Sequence, residues 1–202
     1  MYVGCCRYNK NFIKRGGKLN MNTDNFFANE NTLVLPAFWV DNKHFPTEVP
    51  IETTLGQVFF EGYNGSANHF GWMDLVQLKT LIKKNNITRL IIQNLDTIGR
   101  AGFIYGNIIV CTSYRYKQNK LLKYVPENND LTCCKPLYST VSIGGWDFEE
   151  DSIDELPFRA MNYLRYLLIS TKVKEVCYSC KHVSVTAFFD ERGLPKFKEK
   201  HY

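Results

Sequence analysis

Three side chains of this sequence, His69, Tyr116 and Lys120, suit acid–base work on a phosphate ester. An imidazole exchanges its proton near neutral pH, and an ammonium group steadies negative charge as it develops on phosphoryl oxygens. Arg100, inside Gly99-Arg100-Ala101-Gly102, adds a cation to a glycine loop whose amides can cradle a phosphate. A metal-independent phosphodiester hydrolase or nuclease using His, Tyr and Lys is therefore one function these residues allow.

A second reading comes from the basic residues. Tyr114-Arg115-Tyr116-Lys117, with Lys123 close behind, interleaves rings with cations, as a surface that stacks bases and neutralises phosphates does. On a strand, alternation puts Tyr114 and Tyr116 on one face and Arg115 and Lys117 on the other. The competing picture is therefore core-facing tyrosines beneath a solvated basic face. Lys14 and Arg15 extend the basic character into an N-terminal stretch with no acid before Asp24, and the chain as a whole carries a formal charge of +5. These features favour a small intracellular interaction or accessory protein over an enzyme. Its expected partner is an acidic macromolecule, either nucleic acid or an acidic protein surface.

Metal and cofactor chemistry find less support. Cys177-Tyr178-Ser179-Cys180 followed by His182 has zinc-type spacing, with Cys133 or Cys134 as a fourth ligand. Tyr178 and Ser179 fit a continuing strand better than a metal-binding turn, so the expected state is reduced thiols in a sheet with no metal and no cofactor. The acids Asp147, Glu149, Glu150, Asp151, Asp154 and Glu155 precede a helical pattern, where carboxylates cap free amides and complement the dipole.

Composition bounds these readings. The chain has 202 residues, 45% hydrophobic and 22% charged, which is enough apolar content to fold around a core. No run approaches the roughly 20 apolar residues of a membrane helix, and no apolar leader opens the sequence. Seven cysteines, an odd number in a chain of ordinary size, argue against a disulfide framework. A cytoplasmic location is expected. Eighteen asparagines, many beside lysines, point to an AT-rich genome such as a virus's, in which case the host cytosol or nucleus is the expected location.

The elements that must position these groups are mostly strands. Residues 1–31 read as a basic, partly irregular arm and 32–202 as a single α+β domain. Strands are expected at 32–40, with Pro36 forcing an edge or a bulge, and at 57–61, 87–94, 121–125, 137–143 and within 173–189. Residues 103–116 read as a hairpin turning at Gly106-Asn107. Helical spacing marks two principal helices, 73–84, stopped by Asn85-Asn86, and 154–170, with the stripe Leu156, Ala160, Met161, Leu164 and Leu168. The expected architecture is a mixed or mainly antiparallel sheet of about 7–9 strands carrying those two helices.

Overall fold

The computed structural model describes residues 31–63, 67–116, 120–125, 131–147, 156–178, 187–189 and 195–197. Its elements run β1 (Thr32–Pro36), β2 (Trp39–Asp41), β3 (Glu48–Val49), α1 (Thr54–Gly62), β4 (His69–Gly71), α2 (Leu75–Asn85), β5 (Arg89–Gln93) and α3 (Leu95–Tyr105). They continue with β6 (Asn107–Tyr116), β7 (Lys120–Leu122), β8 (Lys135–Ile143), α4 (Phe158–Thr171), β9 (Glu175–Tyr178), β10 (Ala187–Phe189) and β11 (Pro195–Phe197). Of the basic arm only Asn31 lies within the described residues.

Three sheets form among the described residues. The largest has the order β1-β5-β9-β10-β11, parallel from β1 through β9 and antiparallel beyond it. Leu90, Ile91 and Ile92 of β5 are all buried, which is what a strand between parallel neighbours with both faces covered requires. Pro36 ends β1 at the margin of this sheet, where a residue without an amide proton does no harm. The other two sheets are antiparallel, β2-β4-β3 and β7-β6-β8, the latter with irregular register near Ile108 and Thr112.

The chain has mixed α and β structure as expected, but four helices rather than two stand among the described residues. The segment 57–61, read as a strand, belongs to α1. Leu55, Val58 and Phe59 recur at helical spacing and are buried, while the Thr53 hydroxyl accepts from the Gly56 amide at 3.0 Å and starts the helix.

Gly99-Arg100-Ala101-Gly102, read as a loop, lies inside α3, which buries Leu95, Ile98 and Ala101. Gly99 packs where a Cβ would meet the Trp146 carbonyl oxygen at 2.2 Å, so its role is close approach and not a turn. The expected hairpin turn at Gly106 is instead the left-handed end of α3, with φ of 82°.

The other two helices follow their patterns. Asn86, with φ of 52°, closes α2 by donating its backbone N–H to the Ile82 carbonyl. In α4, Ala160, Leu164 and Leu168 are buried together with Tyr163 and Leu167. The start expected at 154 falls partly outside the described residues, and the helix begins at Phe158. Tyr163 donates its hydroxyl to the Ala37 carbonyl and ties α4 to the end of β1.

Candidate functional site

The register of the small sheet gathers its polar residues. Asp41 stands opposite His69, and Glu48 opposite Gly71. Side chains two apart on a strand share a face, so Asp41, His69 and Glu48 project from one side while Val40, Phe70 and Val49 project from the other. Phe70 and Val40 are core residues, and the polar side is covered in part as well, with Trp39 and Asp41 buried and Glu48 and His69 half-buried.

The connection between β2 and β3 is held by one local and one long-range hydrogen bond. Asp41 Oδ1 accepts from the Asn42 amide at 2.7 Å, and the Thr47 hydroxyl donates to the Trp72 carbonyl at 3.1 Å. This brings His44 over the sheet. Glu48 Oε2 lies 2.7 Å from His44 Nδ1 and Oε1 lies 2.7 Å from His69 Nδ1, with the two imidazole centroids 4.2 Å apart.

Burial pushes the Glu48 carboxyl upward, but the two imidazoles, by hydrogen bonding and by charge, outweigh it and leave the group below its ordinary range. Asp41 goes the other way. Desolvation raises it against the opposing pull of the Asn42 and Lys43 amides and the charges of Lys43 and His69. The half-buried carboxylate between two imidazoles, backed by Asp41, is chemically a site for a cation or for relayed protons.

A second polar feature sits where α1 meets α3. Asn94, left-handed at φ 58°, donates its side-chain amide to the Gly62 carbonyl at 2.9 Å, and Gly62 lies so close that a Cβ would meet Thr97 Oγ1 at 2.2 Å. In the same first turn of α3, Asp96 Oδ1 is buried and accepts no hydrogen bond. A carboxylate there is favoured by the helix's positive end, yet an unused buried acceptor is uncommon and waits for a donor.

The third feature is structural. Asp74 caps α2, its Oδ1 accepting from the Val76 and Gln77 amides at 3.0 and 3.1 Å. Its Oδ2 accepts from the Gln77 side chain at 3.2 Å and from the Tyr114 hydroxyl. Burial raises the carboxyl above its ordinary value despite these donors. Burial, then the Asp74 charge, raises Tyr114 and Cys111 as well.

The residues expected to act together are distributed as follows. His69 lies in the polar cluster of β2-β4-β3. Tyr116 and Lys120 are cross-strand partners in the separate β7-β6-β8 sheet. Tyr114 is fully buried and bound to Asp74, so its ring is closed to a base, and Arg115 faces out, as the core-facing alternative requires. Arg100 is exposed on α3.

Lys123 is exposed, and its charge, with that of Lys172, adds to burial in lowering Lys79. Lys83 stands 5.4 Å over the Tyr124 ring, so part of this basic surface is already engaged within the protein. Lys14, Arg15, Lys117, Cys180 and His182 lie outside the described residues. Cys177 is a free, buried thiol that desolvation pushes up to about 12.

Sequence reasoning passed over His44, Glu48, Asp74 and Asp96. Only Asp74 carried a usable local signal, a cap residue with Gln three positions later.

Comparison with known proteins identifies the setting of these groups. The family model for adenylosuccinate synthetase matches residues 39–185, from β2 to beyond β9. The adenylosuccinate synthetase of Clostridium kluyveri is 35% identical over 114 residues, covering 54% of this chain and 25% of the relative. That of Clostridium botulinum (strain 657 / Type Ba4) is 34% identical over 142 residues, covering 64% of this chain and 31% of the relative.

The solved structure of fully ligated adenylosuccinate synthetase from Plasmodium falciparum superposes with a TM-score of 0.57 at 20% identity, over 71% of this chain and 36% of that one. This chain thus spans about a quarter to a third of the length of its curated relatives. The match overturns both functions expected from the sequence, the interaction protein for an acidic partner and the metal-independent phosphodiester hydrolase. It also gives a viral origin no support. No helix among the described residues is long and apolar enough to cross a membrane.

Proposed function

Since the chain belongs to the adenylosuccinate synthetase family, we propose that it takes part in making adenylosuccinate, as a purine-nucleotide-binding part of that machinery acting in the cytosol. The observation that carries this reading is the family match over residues 39–185, which includes all of α1, α2 and α3.

Asp96 is the proposed contact to the base. Its buried, unused Oδ1 at the start of α3 calls for an N–H donor, and among purines guanine presents a ring N–H and an exocyclic amine side by side. Adenine offers no such ring donor. The carboxylate therefore favours a guanine nucleotide over an adenine one. A hydrogen bond to a charged group is worth about 1.5–3 kcal/mol, roughly ten- to a hundredfold in affinity.

The test is isothermal titration of the full chain with GTP, ATP and adenylosuccinate. Saturable GTP binding, tighter than ATP, with Asp96→Asn weakening GTP about tenfold or more, is the expected result. If none of the three nucleotides binds, the nucleotide reading is refuted. If GTP binds and Asp96→Asn leaves its affinity unchanged, the base contact lies elsewhere.

A further inference from the structure

His44, Glu48 and His69 converge in a cluster that does not include Asp96, the contact proposed for the base. We propose that these three side chains form a binding site for a divalent transition-metal ion of the zinc class. Among the described residues this is the one group in which three potential ligand atoms from separate residues lie within 4.8 Å of one another.

Two imidazoles and one carboxylate, with a coordination position left for water or a ligand, make a donor set that suits zinc and its neighbours. Magnesium and calcium prefer an all-oxygen set.

The sheet supplies rigidity where the site needs it. Glu48 and His69 stand on adjacent, register-locked strands and are half-buried, at 22% and 19% side-chain exposure. His44, at 86%, sits on the connection and is free to adjust. Four-coordinate zinc with bonds near 2.0–2.2 Å spaces its ligand atoms roughly 3.4 Å apart. The 2.7 Å contacts from Glu48 to each imidazole must therefore open slightly, which rotation of the exposed His44 side chain and a small turn of the carboxylate accomplish. The imidazoles then carry their protons on Nε2, leaving Nδ1 for the metal.

Charge around the site works mostly in favour of a cation. Glu48 contributes one negative charge as a ligand, and Asp41 stands opposite His69 as an outer carboxylate, while Lys43 opposes them from the same connection. As simple ion pairs, the same contacts would contribute little. His44 is largely exposed, and surface pairs are worth about 0–1 kcal/mol.

Cobalt substitution separates this site from the chain's seven cysteines. Chelator-treated full-length protein is titrated with Co²⁺ and then challenged with Zn²⁺ and Mg²⁺. The expected result is one visible ligand-field band per chain with no thiolate-to-cobalt charge transfer. Zinc displaces it and magnesium does not. His44→Ala, chosen because so exposed a side chain is not needed for folding, and Glu48→Gln should each weaken cobalt by more than about a hundredfold. Asp41→Asn should weaken it about tenfold, as loss of an outer partner does.

Absence of any cobalt band overturns the proposal. So does a band with thiolate charge transfer, or one that persists unchanged in His44→Ala and Glu48→Gln. None of these readouts depends on nucleotide binding, so the two proposals fail independently.

Discussion

Removing the Asp74 carboxylate, which caps α2, should destabilise the protein strongly, because three structural roles meet in that group. Asp74→Ala takes away the helix cap, worth about 1 kcal/mol. It also orphans the Tyr114 hydroxyl in a fully buried position, at about 1–3 kcal/mol, and leaves the Gln77 amide short of an acceptor. Relief of the carboxylate's own desolvation offsets part of this, so a net loss of about 3 kcal/mol is expected. That is a large share of a typical stability of roughly 5–15 kcal/mol.

Tyr114→Phe alone should lose about 1–2 kcal/mol, since the ring still packs and Asp74 keeps its other donors. The decisive quantity is the coupling between the two changes, expected at about 1.5–2 kcal/mol for a buried bond to a charged acceptor. Urea unfolding of the wild type, both single variants and the double variant, followed by far-ultraviolet circular dichroism, measures it. A coupling below about 0.5 kcal/mol refutes the reasoning, because the hydroxyl and carboxylate would then be acting independently.

Two further outcomes follow from named contacts. Burial raises Asp74 above its unfolded value of 3.8, so its contribution to stability is fully present below that value and is lost as pH rises through the higher folded value. Asp74→Asn should therefore cost more stability below pH 3.8 than at neutral pH, and equal urea midpoints shifts at both would contradict the assignment. Gly99→Ala sets a gain in helix propensity of about 1 kcal/mol against a Cβ placed 2.2 Å from the Trp146 carbonyl oxygen. Backbone does not yield as a side chain does, so a net loss of about 1–3 kcal/mol is expected in thermal unfolding, and a stabilised variant would show that α3 and Trp146 are not in close contact.

How much of this was legible depended on whether the deciding interaction was local. α2 and α4 announce themselves by period and by an asparagine stop or a long apolar stripe, and β5 by an unbroken buried run. The helices α1 and α3 did not. Val58-Phe59-Phe60 is as apolar as a strand, and only Thr53, together with the exposure of Phe60, separates the two. In α3 the glycines that suggest a loop are there because Trp146 and Gly145, more than forty positions away, press against that helix. A parallel pairing such as β1 with β5 is equally invisible, since it joins segments separated by five other elements.

The same distinction explains why the sequence suggested the wrong function and why His69 stands in a cluster that the sequence did not group. His69 was selected for its chemistry alone, and its partners in the structure are neither of the two residues first grouped with it. Glu48 is 21 positions away and reaches it only because β3 and β4 pair with Glu48 opposite Gly71. A shift of that register by one residue would turn Glu48 toward Phe70 and the core, leaving a buried carboxylate without its imidazoles. The polar cluster is thus a product of strand register, and the unused acceptor on Asp96 stands one residue from the close approach of Gly62 to Thr97 between two helices. Tyr114, by contrast, was chosen for its cationic neighbours, and strand alternation sends its ring inward to Asp74 while Arg115 stays in solvent. Residue type located the chemistry, and pairing geometry decided which groups share it.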